Sequence, residues 1–415
     1  MKIALLTLLP AIALASFSYE GYKVYQITVK NHQQAEILPK LQENANYDFF
    51  TKGFALNYPI EVMVGPDAQE EFISTLKTND IEYNIINENI EIAIKAERER
   101  LLRSPKVESG RISFTEFHRF DVIQDYLSQL QVSYPGIVSV EEFGQSLEGR
   151  PLLLIRIGVG SPNNPTILID GTIHAREWIS PAVATYIIEQ LLGNPDNRGL
   201  IENINWVIIP VLNPDGYEYT FTNQRLWRKT RRPGNSCYGV DANRNFAFQW
   251  GSNGASSNEC SETFMGPYSF SEPEAVALAA LAAATPNLIG YLTLHSYGNW
   301  ILFSWGWTAE PVQNAAELQQ LGDAMSDAIY AVNGTRYRPG PTVDLLYYAS
   351  GTSQDWMTFV GVPLTYTIEL TGGVGTGSGF IIQPERILPV SQELWPGLLT
   401  YTDYVLQRWR KEHSP

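Results

Sequence analysis

Thr166-Ile167-Leu168-Ile169-Asp170 is an apolar run closed by one carboxylate, and Gly171-Thr172-Ile173-His174-Ala175-Arg176-Glu177 follows it without a break. A short, near-continuous apolar run of this kind predicts a central strand covered on both faces. Residues that carry chemistry, placed directly past its carboxyl end, predict a site on the rim of an open α/β sheet, where ligands gather. Four more runs share the character of the first: Leu152–Ile157, Ile204–Leu212, Ile289–His295 and Pro363–Leu370. Helical patterns lie at Pro181–Leu192, Glu272–Ala284, Val312–Val332 and Ser391–Trp409. Strand and helix patterns that alternate in this way predict an α/β fold.

The rim collects more than one histidine. Ile289–Leu294 runs into His295-Ser296-Tyr297, and Pro363–Ile368 delivers Glu369 near its close. His174, Glu177 and His295 supply two imidazoles and one carboxylate, a set that suits a single catalytic Zn²⁺ with a fourth position open. An isolated His-x-x-Glu is weak evidence; a second strand-end histidine and a further glutamate on the same rim strengthen it. Glu369 ends an apolar strand, an expensive place for a carboxylate without a task. Beside a metal-activated water it is suited to act as general base and then pass the proton to a leaving amine, the alternative being a carboxylate satisfied by a buried arginine. Arg225, Arg228, Lys229, Arg231 and Arg232 concentrate positive charge in an otherwise acidic chain, with Asp241-Ala242-Asn243-Arg244-Asn245 beyond them. Arginine forks bind carboxylates and a cation near a metal stabilises an oxyanion, while Arg231 and Arg232 read as a solvated basic face. His32, His118 and His413 read as structural or surface residues.

Working outward, the chain has 415 residues and a formal net charge of −15, which argues against nucleic-acid and anionic-membrane partners. Residues 1–16, MKIALLTLLPAIALAS, combine a lysine, an apolar stretch and the small-x-small pattern Ala13-Leu14-Ala15, and predict a cleaved signal peptide of a secreted protein. In an oxidising compartment Cys237 and Cys260 are expected to close a surface loop as a disulfide, two free buried thiols being the alternative. Asn333-Gly334-Thr335 is an acceptor sequon. From about residue 17 to 89, strand patterns at Tyr22–Val29, Ile60–Val64 and Tyr83–Ile86 alternate with helical ones at Gln34–Asn44 and from Pro66, giving a small α+β unit. The charged, helix-prone Ile92–Arg103 follows. Arg98, Arg100, Arg103, Lys106 and Arg111 make this stretch either a target for a trypsin-like protease or merely a solvated helix end.

With His174-Ala-Arg-Glu-Trp178, Leu226-Trp-Arg-Lys-Thr-Arg231, Asp241-Ala-Asn-Arg-Asn245, Leu294-His-Ser-Tyr297 and the Tyr347–Trp356 segment YYASGTSQDW, the sequence resembles zinc metallocarboxypeptidase precursors of the pancreatic A/B type. The resemblance implies a central mixed, largely parallel sheet with helices on both faces in residues 104–415, preceded by an inhibitory antiparallel α+β propeptide in residues 17–103. It implies one zinc on His174, Glu177 and His295, with Glu369 as base and Arg228 as the oxyanion-stabilising arginine. Asn243 and Arg244 match the pair that clamps the substrate's terminal carboxylate, and Tyr347 the tyrosine that closes over it. Arg176, Tyr297 and Phe380 complete the substrate-binding set, and Cys237 and Cys260 match the common disulfide. Peptide and protein C-termini are the implied substrates, an activating trypsin-like protease and the chain's own propeptide the implied partners, and a monomer the expected state.

Gln354 falls at the floor of the specificity pocket in this resemblance, where A-type enzymes carry an apolar residue and B-type enzymes an acid. A neutral amide gives lysine or arginine no counter-charge, so an A-like preference for neutral side chains is expected. Thr342, Thr352 and Thr367 are expected to make the pocket more polar than usual, open to Gln, Asn or Glu. A second departure follows the base: the family often reads Glu-Leu-Arg-Asp, and here Glu369-Leu370-Thr371-Gly372-Gly373 opens a glycine-rich loop. A B-like or acidic-preferring enzyme and a catalytically silent binding protein are the competing readings. Retention of Glu369, Arg228 and Arg244 argues against the second.

Overall fold

The computed structural model describes residues 17–51 and 56–413; the expected signal segment, residues 1–16, lies outside them. The N-terminal unit is a four-stranded antiparallel sheet of β1 (Lys23–Thr28), β2 (Tyr47–Phe49), β3 (Pro59–Val64) and β4 (Glu82–Asn87) in the order β2-β3-β1-β4. Side chains alternate across its strands. Tyr25, Ile27, Ile60, Val62 and Val64 face Phe72 and Leu76 of the helix Gln69–Thr78, while Val24 and Met63 face the larger unit. The single helix expected at Gln34–Asn44 is split into His32–Ala35 and Leu38–Gln42. Pro39 sits in the first turn of the second piece, where its missing N–H leaves no bond unmade.

The larger unit is built on an eight-stranded mixed sheet in the order β11-β10-β12-β9-β7-β8-β6-β5. Its strands are β5 (Val138–Gln145), β6 (Pro151–Ile157), β7 (Thr166–Gly171), β8 (Asn205–Ile209), β9 (Leu288–Ser296), β10 (Trp300–Phe303), β11 (Arg338–Pro341) and β12 (Leu364–Leu370). The four central strands, β12, β9, β7 and β8, run parallel, as their apolar sequences require, and antiparallel pairs flank them. Helices Phe120–Ser133, Ile179–Gly193, Ala315–Asn333 and Ile387–His413 cover one face through a large apolar core. Helices Pro273–Ala284 and Ser353–Phe359 cover the other. Among the described residues no helix is long and apolar enough to cross a membrane. Cys237 and Cys260 form a disulfide.

The two units share apolar packing. Tyr19, Val24, Phe50, Met63, Ile90 and Ile94 of the N-terminal unit and its outgoing helix Glu91–Arg103 pack with Leu226, Phe380 and Ile381 of the larger one.

Candidate active site

β7 ends at Gly171, where a β-carbon would come within 3.1 Å of the Pro210 carbonyl oxygen and 3.3 Å of the Ser180 backbone, a tight approach that favours glycine as the chain turns here. The turn carries His174 and Glu177 to the edge of the helix Ile179–Gly193. On the neighbouring strands His295 and Glu369 are direct cross-strand partners, because β9 and β12 pair in parallel with these two residues in register. Chain order thus delivers four residues from three adjacent strands to one end of the sheet.

The donor atoms converge. His174 Nδ1 lies 3.0 Å from Glu177 Oε1, His295 Nδ1 lies 3.0 Å from Glu177 Oε2, and the two Nδ1 atoms lie 3.1 Å apart. All three residues are buried. Ligand bonds of about 2.0–2.2 Å at tetrahedral angles separate neighbouring donors by roughly 3.3 Å. Two imidazole nitrogens and a carboxylate at these separations therefore fit one zinc ion, and the exposed side of the cluster opens into a pocket. Burial, aided by the charge of Arg228, keeps the His174 pKa below its ordinary value, which leaves the neutral imidazole that a metal needs.

Asp241 organises what surrounds the cluster, a role the sequence does not disclose. Its Oδ1 lies 3.1 Å from His174 Nε2, the outer partner that fixes a ligating ring, and its Oδ2 accepts from Arg228 Nη2 at 2.8 Å. Burial works against the Asp241 charge, but Arg228, His174 and Arg244 outweigh it and hold the carboxyl well below the usual range. Arg228, itself buried, is kept charged in the same way: burial opposes it, and Asp241 beside it prevails.

A pocket opens beside the cluster, lined by His174, His295, Glu369 and Arg228 on one side and Asn243, Arg244, Tyr347 and Gln354 on the other. The Arg244 guanidinium is aimed by the Asn243 and Gly254 carbonyls, at 2.8 and 2.9 Å, and donates to the Tyr347 hydroxyl at 3.1 Å. Asn243 is held by the Ser353 amide at 2.9 Å. Gln354 is buried, and its amide is fully engaged: the nitrogen donates to Thr342 Oγ1 at 3.2 Å and Ser304 Oγ at 3.4 Å, and the oxygen accepts from the Thr367 amide at 3.1 Å.

Arg176, Tyr297 and Phe380 lie outside this pocket, under the N-terminal unit. Arg176 donates to Asp48 Oδ2 at 2.5 Å, and its guanidinium lies 4.3 Å from the centre of the Phe380 ring. The Tyr297 hydroxyl donates to Glu61 Oε2 at 2.5 Å, and Phe50 packs edge-on against Phe380. Arg225 pairs with Glu97 of the outgoing helix and stacks on Trp178. Asp48, Glu61 and Glu97 carry no local sequence signal, because their partners lie more than a hundred positions away. Arg231 and Arg232 differ from expectation, since neither is a solvated cation. Arg231 lies 3.6 Å from the Tyr219 ring and is flanked by Trp227 and Tyr238, and Arg232 pairs with buried Glu272 at 2.6 Å.

Known proteins resemble this chain along nearly its whole length. The zinc carboxypeptidase family model matches residues 123–397, and the carboxypeptidase activation peptide model matches residues 25–97. A carboxypeptidase B of Helicoverpa zea is 35% identical over 96% of this chain and 97% of its own. The carboxypeptidase A1 of Rattus norvegicus is 30% identical over 98% of this chain and 99% of its own. The crystal structure of carboxypeptidase A from Helicoverpa armigera superposes with a TM-score of 0.89 at 32% identity, covering 94% of this chain and 98% of that one. The chain belongs to the zinc carboxypeptidase family, as a metallocarboxypeptidase that carries its activation peptide ahead of the catalytic domain.

Proposed function

We propose that this protein is a secreted zymogen whose mature form, residues 104–415, removes single residues with neutral side chains from peptide C-termini. The observation that carries this reading is the gathering of His174, Glu177, His295, Glu369, Arg228 and Arg244 around one pocket. The first three would hold a zinc ion, which when bound would supply Lewis-acid polarisation of the scissile carbonyl and a lowered pKa for water. Glu369 takes the proton of the attacking water and hands it to the leaving amine. Arg228, fixed by Asp241, donates to the oxygen on which negative charge develops. Arg244, Asn243 and Tyr347 bind the free α-carboxylate. An internal peptide bond has no carboxylate to pair with Arg244, which makes the enzyme an exopeptidase.

The state of Gln354 supports the neutral preference and narrows it. Its donors and its acceptor are spent on Thr342, Ser304 and Thr367, Thr342 Oγ1 in turn donates to the Phe303 carbonyl, and Thr352 Oγ1 accepts from the Asp355 amide. A lysine entering the pocket would find no counter-charge at Gln354, whose amide is already paired, whereas an aliphatic side chain needs none.

Asp48, Glu61 and Phe50 cover Arg176, Tyr297 and Phe380, which supports residues 17–103 as the inhibitor of the chain's own groove. The helix that ends the propeptide stops at Arg103, whose side chain is 79% exposed, and Ser104–Lys106 lie outside any helix. Arg98 is inside the helix and donates to the Asn223 carbonyl. Arg103–Ser104, at the exposed end of this helix, is the bond we assign to a trypsin-like protease, with Lys106 and Arg111, exposed and outside any helix, as the competing sites. The test is to treat the purified protein with trypsin, with and without a chelator, and identify the residues released from peptides of mixed C-termini. Leucine-like residues released only without chelator are expected; faster release of lysine or arginine would overturn the preference, and full activity of Glu369→Gln would overturn the base.

A further inference from the structure

Glu369 stands one residue from the end of β12, and five glycines, at 372, 373, 375, 377 and 379, follow it within ten positions. A base placed so close to a permissive segment needs an anchor, because strand ends next to glycine-rich coil open easily. The anchor lies at Thr371. Its hydroxyl reaches two acceptors, Glu393 Oε1 and, at 2.7 Å, Asn299 Oδ1, and donates to one of them at a time, while its backbone N–H donates to the Tyr337 hydroxyl at 3.1 Å. Glu393 is fully buried on the helix Ile387–His413 and also accepts from the Tyr337 hydroxyl at 3.2 Å, Asn333 Nδ2 at 3.0 Å and the Thr335 hydroxyl at 2.9 Å. Asn299 ends the short turn that carries Tyr297, and within that turn the Gly298 N–H donates to the Leu370 carbonyl at 3.1 Å.

We propose that Thr371 and Glu393 form a polar pin that positions the general base: the C-terminal helix holds Thr371, Thr371 fixes the end of β12, and Glu369 keeps its place beside His295. The inference rests on Glu369 being the base. Four neutral donors satisfy the buried carboxylate, so the pin needs no arginine at position 371. Displacement of a reacting group by about 1 Å costs on the order of a hundredfold in rate, so loosening this pin falls on kcat more than on substrate binding.

The test uses trypsin-activated protein and four variants: Thr371→Val, Thr371→Ser, Glu393→Gln and Glu369→Gln. Thr371→Val is expected to lower kcat by roughly 10–100-fold with KM changed less than about threefold, and to shift the acid limb of the kcat/KM profile that reports the base. Thr371→Ser restores both, and Glu393→Gln falls between. A lowered melting temperature with kcat and the acid limb unchanged would overturn the pin. Should Thr371→Val fail to fold, Glu393→Gln with kcat and acid limb at the Thr371→Ser level would overturn it equally. Activity in Glu369→Gln would instead refute the base assignment, which separates the two failures.

Discussion

Asp48→Asn in the intact zymogen isolates the contact that closes the groove. Arg176 is only 1% exposed and the Asp48 side chain 14%, so the pair sits largely out of water. Removing one charge of a fully buried pair costs about 3–5 kcal/mol. Here the cost is smaller, because the substituted amide still accepts a hydrogen bond and the Glu262 carboxylate also acts on Arg176. A loss of ~2 kcal/mol in closure corresponds to a ~30-fold larger open fraction. The assay is turnover of a short peptide by uncleaved zymogen, followed by the same measurement after trypsin. Basal turnover of the variant should rise about 30-fold over that of the uncleaved wild type, while the activated enzymes, which both lack residue 48, should be equal. Unchanged basal turnover would refute the reasoning, and a rise persisting after trypsin would place the effect outside the contact.

Among the described residues neither carboxylate oxygen of buried Glu274 has a hydrogen-bond partner, and burial, with the charge of Glu272 beside it, pushes its pKa from 4.5 to about 8. The fold therefore binds a proton there that the unfolded chain has lost, and this contribution to stability is complete below pH 4.5 and disappears as pH rises to about 8. Glu274→Gln should flatten the thermal-unfolding profile across that window and stabilise the protein at its upper end; a slope equal to that of the wild type would contradict it. Asp241→Asn keeps the size of the side chain but weakens the support of His174, and a roughly 10–100-fold lower zinc affinity is expected in chelator competition. Gln354→Asp places a carboxylate at the pocket floor, and release of C-terminal lysine should rise relative to leucine by at least about tenfold, the discrimination that one new charge pairing brings; an unchanged ratio would remove Gln354 from the specificity pocket.

Much of this architecture is legible where sequence pattern and burial coincide. β7, β9 and β12 are apolar on both faces because helices cover both, so their runs announce them, and the residues at or just past their carboxyl ends announce the site. β10 and β11 give no such signal, the first being only four residues long and the second containing Pro339 and Pro341. β5 is hidden because it lies at the sheet margin and carries polar residues on its exposed face. His174, Glu177, His295 and Glu369 stand out by their placement, since a polar side chain closing an apolar strand is costly. Asp241, Asp48 and Glu393 do not, because their meaning lies in partners supplied by tertiary folding. Arg231 misleads for the same reason: three aromatic rings from separate positions enclose it.

The apolar seam between the two units has an effect that outlasts the propeptide. Once residues 17–103 depart, Leu226, Phe380 and Ile381 lose the tyrosine, phenylalanine and isoleucine side chains that had kept them dry. The activation proposed above would therefore uncover an apolar strip where the N-terminal unit had packed, a surface unfavourable to wet until another hydrocarbon surface covers it.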